Sequence, residues 1–323
     1  MSVLVYIENI EGTFKKSGFE AVSYAKTIAG LLGEEVNALS IGAVPPAELE
    51  KLAQYGADKV IKIENDQLKQ FINQAYAQLI ANVAKSTGAK TIILSNTFNG
   101  KGLAPRIAVK LDAVLCDGAI NIPAIAGDVW TIKKSVFSSK AIATEELKAA
   151  VKVIALTPNS VETKEAPVPA QIETFQSELL SNDLATTIQE IVRATDKVSL
   201  PDATIVVSAG RGMKGPENWR IIEELADVLG AATACSKPVS DAGWRPHAEH
   251  VGQTGLAVSP NLYIAIGISG AIQHLAGVSS SKTIVVINKD PDAPFFKVAD
   301  YGIVGDAFEI VPKLTEAIKA FKN

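Results

Sequence analysis

The sequence contains few of the residues that crosslink a protein or bind metals. Its 323 residues include two cysteines and three histidines. The cysteines, Cys116 and Cys235, have no paired spacing, which argues against a disulfide framework, a zinc ribbon and an iron–sulfur cluster. His247 and His250 stand three residues apart, but no acidic or cysteine ligand pattern accompanies them. We therefore expect no metal site.

Long apolar runs and an excess of positive charge are also missing. No apolar run approaches the roughly 18 residues that a membrane-spanning helix needs, and no basic region precedes the first apolar stretch. Lys and Arg number 31 and Asp and Glu 35, so the net charge is −4 and no general affinity for nucleic acid is expected. With 47% hydrophobic and 20% charged residues, the chain is predicted to be a soluble, cytoplasmic globular protein.

The first half of the chain alternates between predicted strands and helices. Apolar runs without alternation, such as Val3–Ile7, indicate strands covered on both faces. Apolar residues at helical spacing between Ser17 and Leu32 predict a helix, which Gly33 would end. This rhythm favours a parallel sheet with helices on both faces. Later, Val129–Val136 and Lys148–Ala155 predict strands, which we interpret as an antiparallel edge.

The length of the chain and a second α/β pattern predict two domains. Residues 157–171 are rich in Pro, Thr, Glu and Lys, which favours an extended crossing segment over packed structure. We place an N-terminal α/β domain at 1–198, with a linker at about 157–200, and a C-terminal domain at 199–323. The fold class is therefore α/β, with a parallel-sheet domain followed by a Rossmann-like, doubly wound domain.

A glycine-rich turn is the first candidate binding motif. Gly210, Gly212 and Gly215 match G-x-G-x-x-G between a predicted strand, Thr204–Ser208, and a helix that begins at Pro216. Such a turn brings free backbone N–H groups close to a phosphate, and Arg211 adds a planar set of donors. The alternative is a tight strand–helix turn in which glycine has no ligand role.

Other polar groups follow further predicted strands. They are Ser236 and Lys237, the loop Val251–Gly255, and the segment Ser269–His274 at a predicted helix start. By spacing alone Lys237 is better explained as an exposed lysine, and His274 as a packed or capping residue.

Two more polar residues stand at the carboxyl ends of later predicted strands. Asn288 and Asp306 lie there, although Asp306 also suits a helix N-cap. Because α/β sheets bind ligands at this edge, we expect five strand ends to converge on one site.

The motifs together resemble those of the electron transfer flavoprotein alpha subunit. The resemblance rests on LYIAIGISGAIQHLAG and TIVVINKDP, with SAGRGMKGPENW, SDAGWRPH, VGQTG and ADYGIVGDAFEIVPKLTEAI, over roughly residues 203–320. In the first domain it is looser, carried by the βαβ rhythm and Arg106-Ile-Ala-Val-Lys-Leu. The resemblance implies an electron carrier without substrate turnover of its own, with no catalytic residues.

The resemblance also implies a cofactor and partners. One FAD would lie in the second domain of a heterodimer with a beta subunit, which carries a separate AMP. Thr254 would bond flavin N5, His274 would face O2 as a donor or imidazolium, and Asp306 would lie towards the adenosine. Electrons would come from flavin dehydrogenases such as acyl-CoA dehydrogenase in fatty acid beta-oxidation, and leave to a membrane quinone oxidoreductase. The implied FAD contacts are Arg211, Ser236, Lys237, Val251, Gly252, Gln253, Thr254, Ser269, Gly270, Ala271, Ile272, Gln273, His274, Asn288 and Asp306.

One position departs from the family pattern. Lys237 stands where many members have arginine, so the charge is kept but the planar guanidinium that can lie against a ring is lost. We expect weaker stabilisation of the flavin semiquinone than in members with arginine.

Three alternative functions remain open from the sequence. An electron-bifurcating member of the same family would have its NAD site in the partner chain. An NAD(P)-dependent dehydrogenase would use the G-x-G-x-x-G turn, although no clear acid–base pair accompanies it. A nucleotide-binding structural or sensor module would use the same site without reversible flavin reduction.

Overall fold

The computed structural model describes residues 2–68, 70–137, 141–169, 171–190, 200 and 203–322. The chain divides into two units: unit 1 is Met1–Val136 with Ile142–Val192, and unit 2 is Phe137–Ala141 with Arg193–Asn323. The predicted boundary at 198/199 and residues 191–199 of the predicted linker lie outside the described residues, so this boundary stays a prediction. Among the described residues, no helix is both long and apolar enough to span a membrane.

Unit 1 is an α/β domain built on one large sheet. Its neighbouring strands run in the order β10-β9-β7-β11-β6-β1-β4-β5-β12, with β8 beside β9. The strands of the unit are β1 (Ser2–Ile7), β2 (Asn9–Ile10), β3 (Thr13–Phe14), β4 (Glu35–Ile41), β5 (Lys59–Ile63), β6 (Thr91–Ser95), β7 (Val114–Ala119), β8 (Ala124–Ala126), β9 (Val129–Val136), β10 (Ala141–Leu147), β11 (Lys152–Leu156) and β12 (Gln171–Thr174). Strands β2 and β3 are not part of the large sheet and form a separate antiparallel pair. The helices are α1 (Lys16–Leu32), α2 (Pro46–Gln54), α3 (Asn73–Thr87) and α4 (Phe98–Leu111).

The centre of this sheet is parallel and covered on both faces. Strands from β7 through β11, β6, β1, β4 and β5 to β12 pair in parallel. Helices α1 and α2 pack on one face and α3 and α4 on the other, so every residue of β1 is buried. Gly33 ends α1 in the left-handed conformation, with φ of 69°. The predicted α/β fold class is confirmed.

The strand predicted at residues 148–155 exists over 152–155, but its predicted start and its antiparallel direction were wrong. The strand is Lys152–Leu156, and it lies inside the sheet, parallel to both neighbours and fully buried. Lys152 interrupts the apolar run, but its ammonium donates to the Ala149 carbonyl at 2.8 Å and lies over the Trp130 ring. The antiparallel pairing belongs to Val129–Val136 instead.

Part of the predicted linker packs against unit 1. The backbone N–H groups of Ala166 and Val168 donate to carbonyls at the end of α2, and the next described residues form β12 beside β5. The Glu20 carboxylate accepts two more backbone N–H groups from this segment. The segment was predicted to be an extended crossing. Residues 158–161 instead form a turn, with Asn159 at φ of 61°, and residues 162–169 have neither helix nor strand. The bonds above fix the segment along the domain.

Unit 2 has the second parallel sheet. Its strands are β13 (Ile205–Ala209), β14 (Ala232–Cys235), β15 (Leu262–Ile266), β16 (Thr283–Asn288) and β17 (Tyr301–Val304), in the order β14-β13-β15-β16-β17. Its helices are α5 (Arg220–Leu229), α6 (Lys237–Asp241), α7 (Ile272–Leu275) and α8 (Ala307–Lys322). All neighbours pair in parallel. Strand order reverses between β13 and β15, and such a switch point opens a crevice outside the carboxyl ends of the strands.

Candidate functional site

A cavity of about 790 Å³ lies at the switch point of unit 2. Segments that follow β13, β14 and β15 form its walls. The segments after β16 and β17 do not, so three of the five predicted strand ends converge. The lining residues are Gly210, Arg211, Ser236, Lys237, Pro238, Asp241, Ala242, His250, Val251, Gly252, Gln253, Thr254, Gly267, Ile268, Ser269, Ala271, Gln273 and His274.

Most of the predicted site residues line this cavity, and four do not. Gly270 instead lets the chain pass close to Phe295, since an added Cβ would lie 2.5 Å from the Phe295 backbone nitrogen. Ile272 is exposed, and the Asn288 side chain donates to the Ile268 carbonyl at 2.9 Å. Asp306 accepts from the Phe308 N–H at 2.9 Å, which is the helix-capping alternative foreseen from the sequence.

The glycine-rich turn does not present its N–H groups as predicted. Gly210 donates to the Ile266 carbonyl at 2.9 Å and Gly212 to the Gly267 carbonyl at 3.1 Å. A Cβ on Gly212 would lie 2.6 Å from the Gly267 Cα, so the glycines allow two loops to touch. One 3₁₀ turn, Arg211–Met213, lies inside the motif, and a second, Pro216–Asn218, separates it from α5, which begins only at Arg220. This turn therefore contributes to the cavity wall chiefly through Gly210 and Arg211.

The loop after β14 brings a cation and a carboxylate to the wall together. Lys237 begins α6 and Asp241 ends it, so one helical turn places their side chains side by side. Lys237 Nζ lies 2.9 Å from Asp241 Oδ1, and both side chains are more than half exposed. The wall at this point has a paired charge. Asp241 was missed in the sequence, although its i,i+4 spacing from Lys237 was a usable signal.

The Val251–Thr254 loop is fixed against the segment after β15. Gln253 donates its backbone N–H to the Gln273 carbonyl at 2.7 Å, and Val251 donates to the Cys235 carbonyl at 3.0 Å. Gly252 has φ of 149°, where a side chain is strained. These bonds join the second and third walls of the cavity.

His274 is buried beside a tyrosine. The Tyr263 hydroxyl lies 2.9 Å from His274 Nε2, and Phe295 packs against both rings. His274 Nδ1 is buried and has no partner in hydrogen-bonding geometry. The nearby Val251 carbonyl raises the pKa of His274, which opposes part of the effect of burial. Burial lowers the pKa of His274 to about 4, with His250 acting in the same direction. Of the two predicted forms, the structure supports the neutral imidazole over the imidazolium.

His250 is a second buried imidazole in the wall, and it was missed in the sequence. Burial lowers its pKa, His247 and Lys237 add to the lowering, and Asp241 opposes them. His250 pairs through its backbone with Cys235 at the end of β14, and this pairing brings it to the cavity. No local pattern signals such a contact. The predicted set also left out Pro238, Ala242, Gly267 and Ile268, which are close in sequence to predicted site residues and line the cavity with them.

Two models of known protein families match the chain. Residues 3–180 match the model of the electron transfer flavoprotein domain, and residues 199–279 match the electron transfer flavoprotein FAD-binding domain. The second match confirms the prediction of FAD as cofactor.

Curated relatives match along nearly the whole chain. The electron transfer flavoprotein subunit alpha of Bacillus subtilis is 40% identical, with 98% of this chain and 97% of the relative covered. The electron transfer flavoprotein subunit alpha of Pseudomonas aeruginosa is 38% identical, with 98% of this chain and 100% of the relative covered. The probable mitochondrial electron transfer flavoprotein subunit alpha of Caenorhabditis elegans is 36% identical, with 98% of this chain and 93% of the relative covered. The chain therefore belongs to the electron transfer flavoprotein alpha subunit family.

Proposed function

We propose that this chain holds one FAD in the cavity of unit 2 and acts as the alpha subunit of a heterodimeric electron carrier. The observation that carries the proposal is the position of the cavity. It lies at the β13/β15 switch point, within the part of the chain that matches an FAD-binding domain. Sheets of this order bind their ligands there.

The residues of the cavity suit a large dinucleotide. The volume of the cavity lies in the range of about 300–1,000 Å³ that is typical of small-molecule sites. Arg211 and Lys237 supply positive charge for phosphates or for a reduced ring, and Gln253 and Thr254 supply polar side chains. His274 has a buried nitrogen without a hydrogen-bond partner, and such a buried group is costly unless a ligand or water meets it.

When bound, FAD supplies the redox chemistry and the chain sets the environment of its ring system. Lys237 places positive charge at the wall, which favours negative charge gained by a ligand. Asp241 offsets part of that charge because the two groups are paired. His274 adds a neutral dipole rather than a third charge, since burial lowers its pKa and so favours the neutral form of the imidazole.

The partners and pathway follow from family membership. We propose a beta subunit that carries a separate AMP, flavin dehydrogenases such as acyl-CoA dehydrogenase as donors, and a quinone oxidoreductase as acceptor. The heterodimer would carry electrons between them without substrate turnover of its own. Its location in the cytoplasm stays a prediction from the sequence.

The dehydrogenase alternative has less support. A dinucleotide fold of that kind uses the first glycine-rich turn to approach a pyrophosphate. Here the Gly210 N–H donates to the last residue of β15 and the Gly212 N–H to the residue after it, so they are not available in that role.

The test is a visible absorption spectrum of the chain purified with its beta subunit, before and after stepwise anaerobic reduction. We expect bound oxidised flavin that bleaches reversibly. Arg211→Gln, at the cavity wall, should weaken FAD binding. Arg220→Gln is the matched control because that side chain is exposed on α5 and does not line the cavity. A complex that stays colourless when FAD is added would overturn the proposal.

A further inference from the structure

The segment from Ser236 to Thr254 supplies more than half of the residues that line the cavity. Its regular structure is limited to the five-residue helix α6 and a 3₁₀ turn, His247–Glu249. Such short elements do not hold themselves in place, because a single turn gains too few hydrogen bonds to offset its ordering entropy. The position of this segment, called here the cofactor loop, must therefore depend on contacts outside it.

One arginine makes several of these contacts. Arg245, in the middle of the cofactor loop, donates through Nε and Nη2 to the two carboxylate oxygens of Glu249, at 2.8 and 2.7 Å. Its Nη1 donates to Glu223 of α5 at 2.9 Å, and the guanidinium lies 5.6 Å from the centre of the Trp219 ring. The arrangement uses the planar, forked geometry that distinguishes arginine from lysine.

The Arg245–Glu249 pair is shielded from water, unlike most ion pairs among the described residues, while Glu223 is 41% exposed. The Arg245 and Glu249 side chains are 14% and 9% exposed. The two carboxylates raise the pKa of Arg245, with the Glu249 hydrogen bonds as the largest cause. Removing Arg245 would take the forked donor from the buried Glu249 carboxylate, which is more disruptive than losing an exposed pair.

Arg245 reaches two walls of the cavity without lining it. Along the loop it lies between Ala242 and His250, both of which line the cavity. Through its bond to Glu223 it also holds α5, and α5 follows the glycine-rich turn that carries Arg211. One guanidinium therefore joins the wall after β13 to the wall after β14.

We propose that Arg245 is a positioning residue for the cofactor site. By tying the cofactor loop to Glu223 and Trp219, it holds Lys237, Asp241 and the Val251–Thr254 turn in the arrangement that accepts FAD. This inference rests on the proposed function for the identity of the ligand, but the tethering of the loop does not.

The experiment compares Arg245→Gln, Arg245→Lys and Glu223→Gln in the heterodimer. Arg220→Gln is the matched control, since Arg220 is on the same helix and pairs with Glu224 at an exposed position. The FAD dissociation constant is measured at a temperature where all variants have the circular dichroism of the wild type. Hydrogen exchange of residues 236–254 is measured in the heterodimer with and without FAD.

For Arg245→Gln we expect the dissociation constant to rise about tenfold or more, as when outer-shell partners of a bound group are removed. The loop should exchange faster while β13 and β15 keep their protection. Arg245→Lys and Glu223→Gln should lie between it and the wild type, and Arg220→Gln should match the wild type. Glu223→Gln keeps the Arg245–Glu249 contact and serves if Arg245→Gln does not fold.

Two results would overturn the inference. The first is an unchanged dissociation constant and unchanged loop exchange in the Arg245 variants. The second is exchange that rises equally in the strands and the loop, since that indicates a general role in stability. If the wild type itself does not bind FAD, the proposed function fails, and loop exchange without FAD still tests the tether.

Discussion

His274 should remain neutral at pH values where an ordinary histidine is protonated. Its imidazole is buried against Tyr263 and Phe295, and burial lowers its pKa from 6.5 to about 4. The perturbation is acidification from pH 7 to pH 5. Over this range the unfolded chain takes up a proton at this residue and the folded chain does not.

The sign and size of the effect follow from linkage. Because the folded pKa is below the unfolded value, the contribution of His274 to stability is complete above pH 6.5 and is lost as pH falls towards 4. With these two values the free energy of unfolding falls by roughly 2 kcal/mol between pH 7 and pH 5. His250 should add to the loss, since burial lowers its pKa as well.

Two measurements test this prediction in the heterodimer. Nitrogen-15 histidine spectra report the protonation of His274 directly, and the chain has only three histidines to assign. Urea unfolding at pH 7 and pH 5 is then compared between the wild type and His274→Gln, which cannot titrate and serves as the control. The wild type should lose more stability than the variant by the amount above. Titration of His274 near pH 6.5, or equal losses in both proteins, would refute the reasoning.

Three further substitutions and one control substitution have expected outcomes. Lys237→Arg should raise the semiquinone yield in a dithionite titration, because a planar guanidinium can lie against the flavin; an unchanged yield contradicts this. Gly212→Ala should lower the free energy of unfolding by about 1–3 kcal/mol, since its Cβ would meet the facing loop at 2.6 Å. Gly30→Ala is its control: nothing lies within 4 Å of that Cβ in α1, so a gain of about 0.5–1 kcal/mol is expected by thermal unfolding. Tyr263→Phe should cost about 1–3 kcal/mol in urea unfolding by leaving His274 Nε2 buried without a partner, and a stability equal to the wild type would show that water replaces the hydroxyl.

The sequence predicts most of unit 1 because its elements carry strong local signals. A run such as Val3–Ile7 has no polar face, and only a strand covered on both sides buries it completely. The strand Lys152–Leu156 was predicted to begin at Lys148, because residues 149–151 are apolar and continue its pattern on the other side of Lys152. Only the tertiary structure supplies the Trp130 ring and the Ala149 carbonyl that allow this lysine to be buried.

Strand Ala232–Cys235 shows the limit for short elements. Four residues, two of them alanine, carry little strand propensity of their own. Pairing with β13 makes them a strand, and that pairing is decided by the rest of the sheet.

The sequence by itself determined the α/β class, the family and most residues around the cavity, since these depend on periodicity and on motifs contiguous in the chain. The tertiary structure decided how those residues behave. It turned Gly212 towards the neighbouring loop rather than a phosphate, paired Lys237 with Asp241, and buried His274 as a neutral group. The physical reason is that hydrogen bonding, charge pairing and desolvation depend on what surrounds a residue, and its neighbours here come from distant strands.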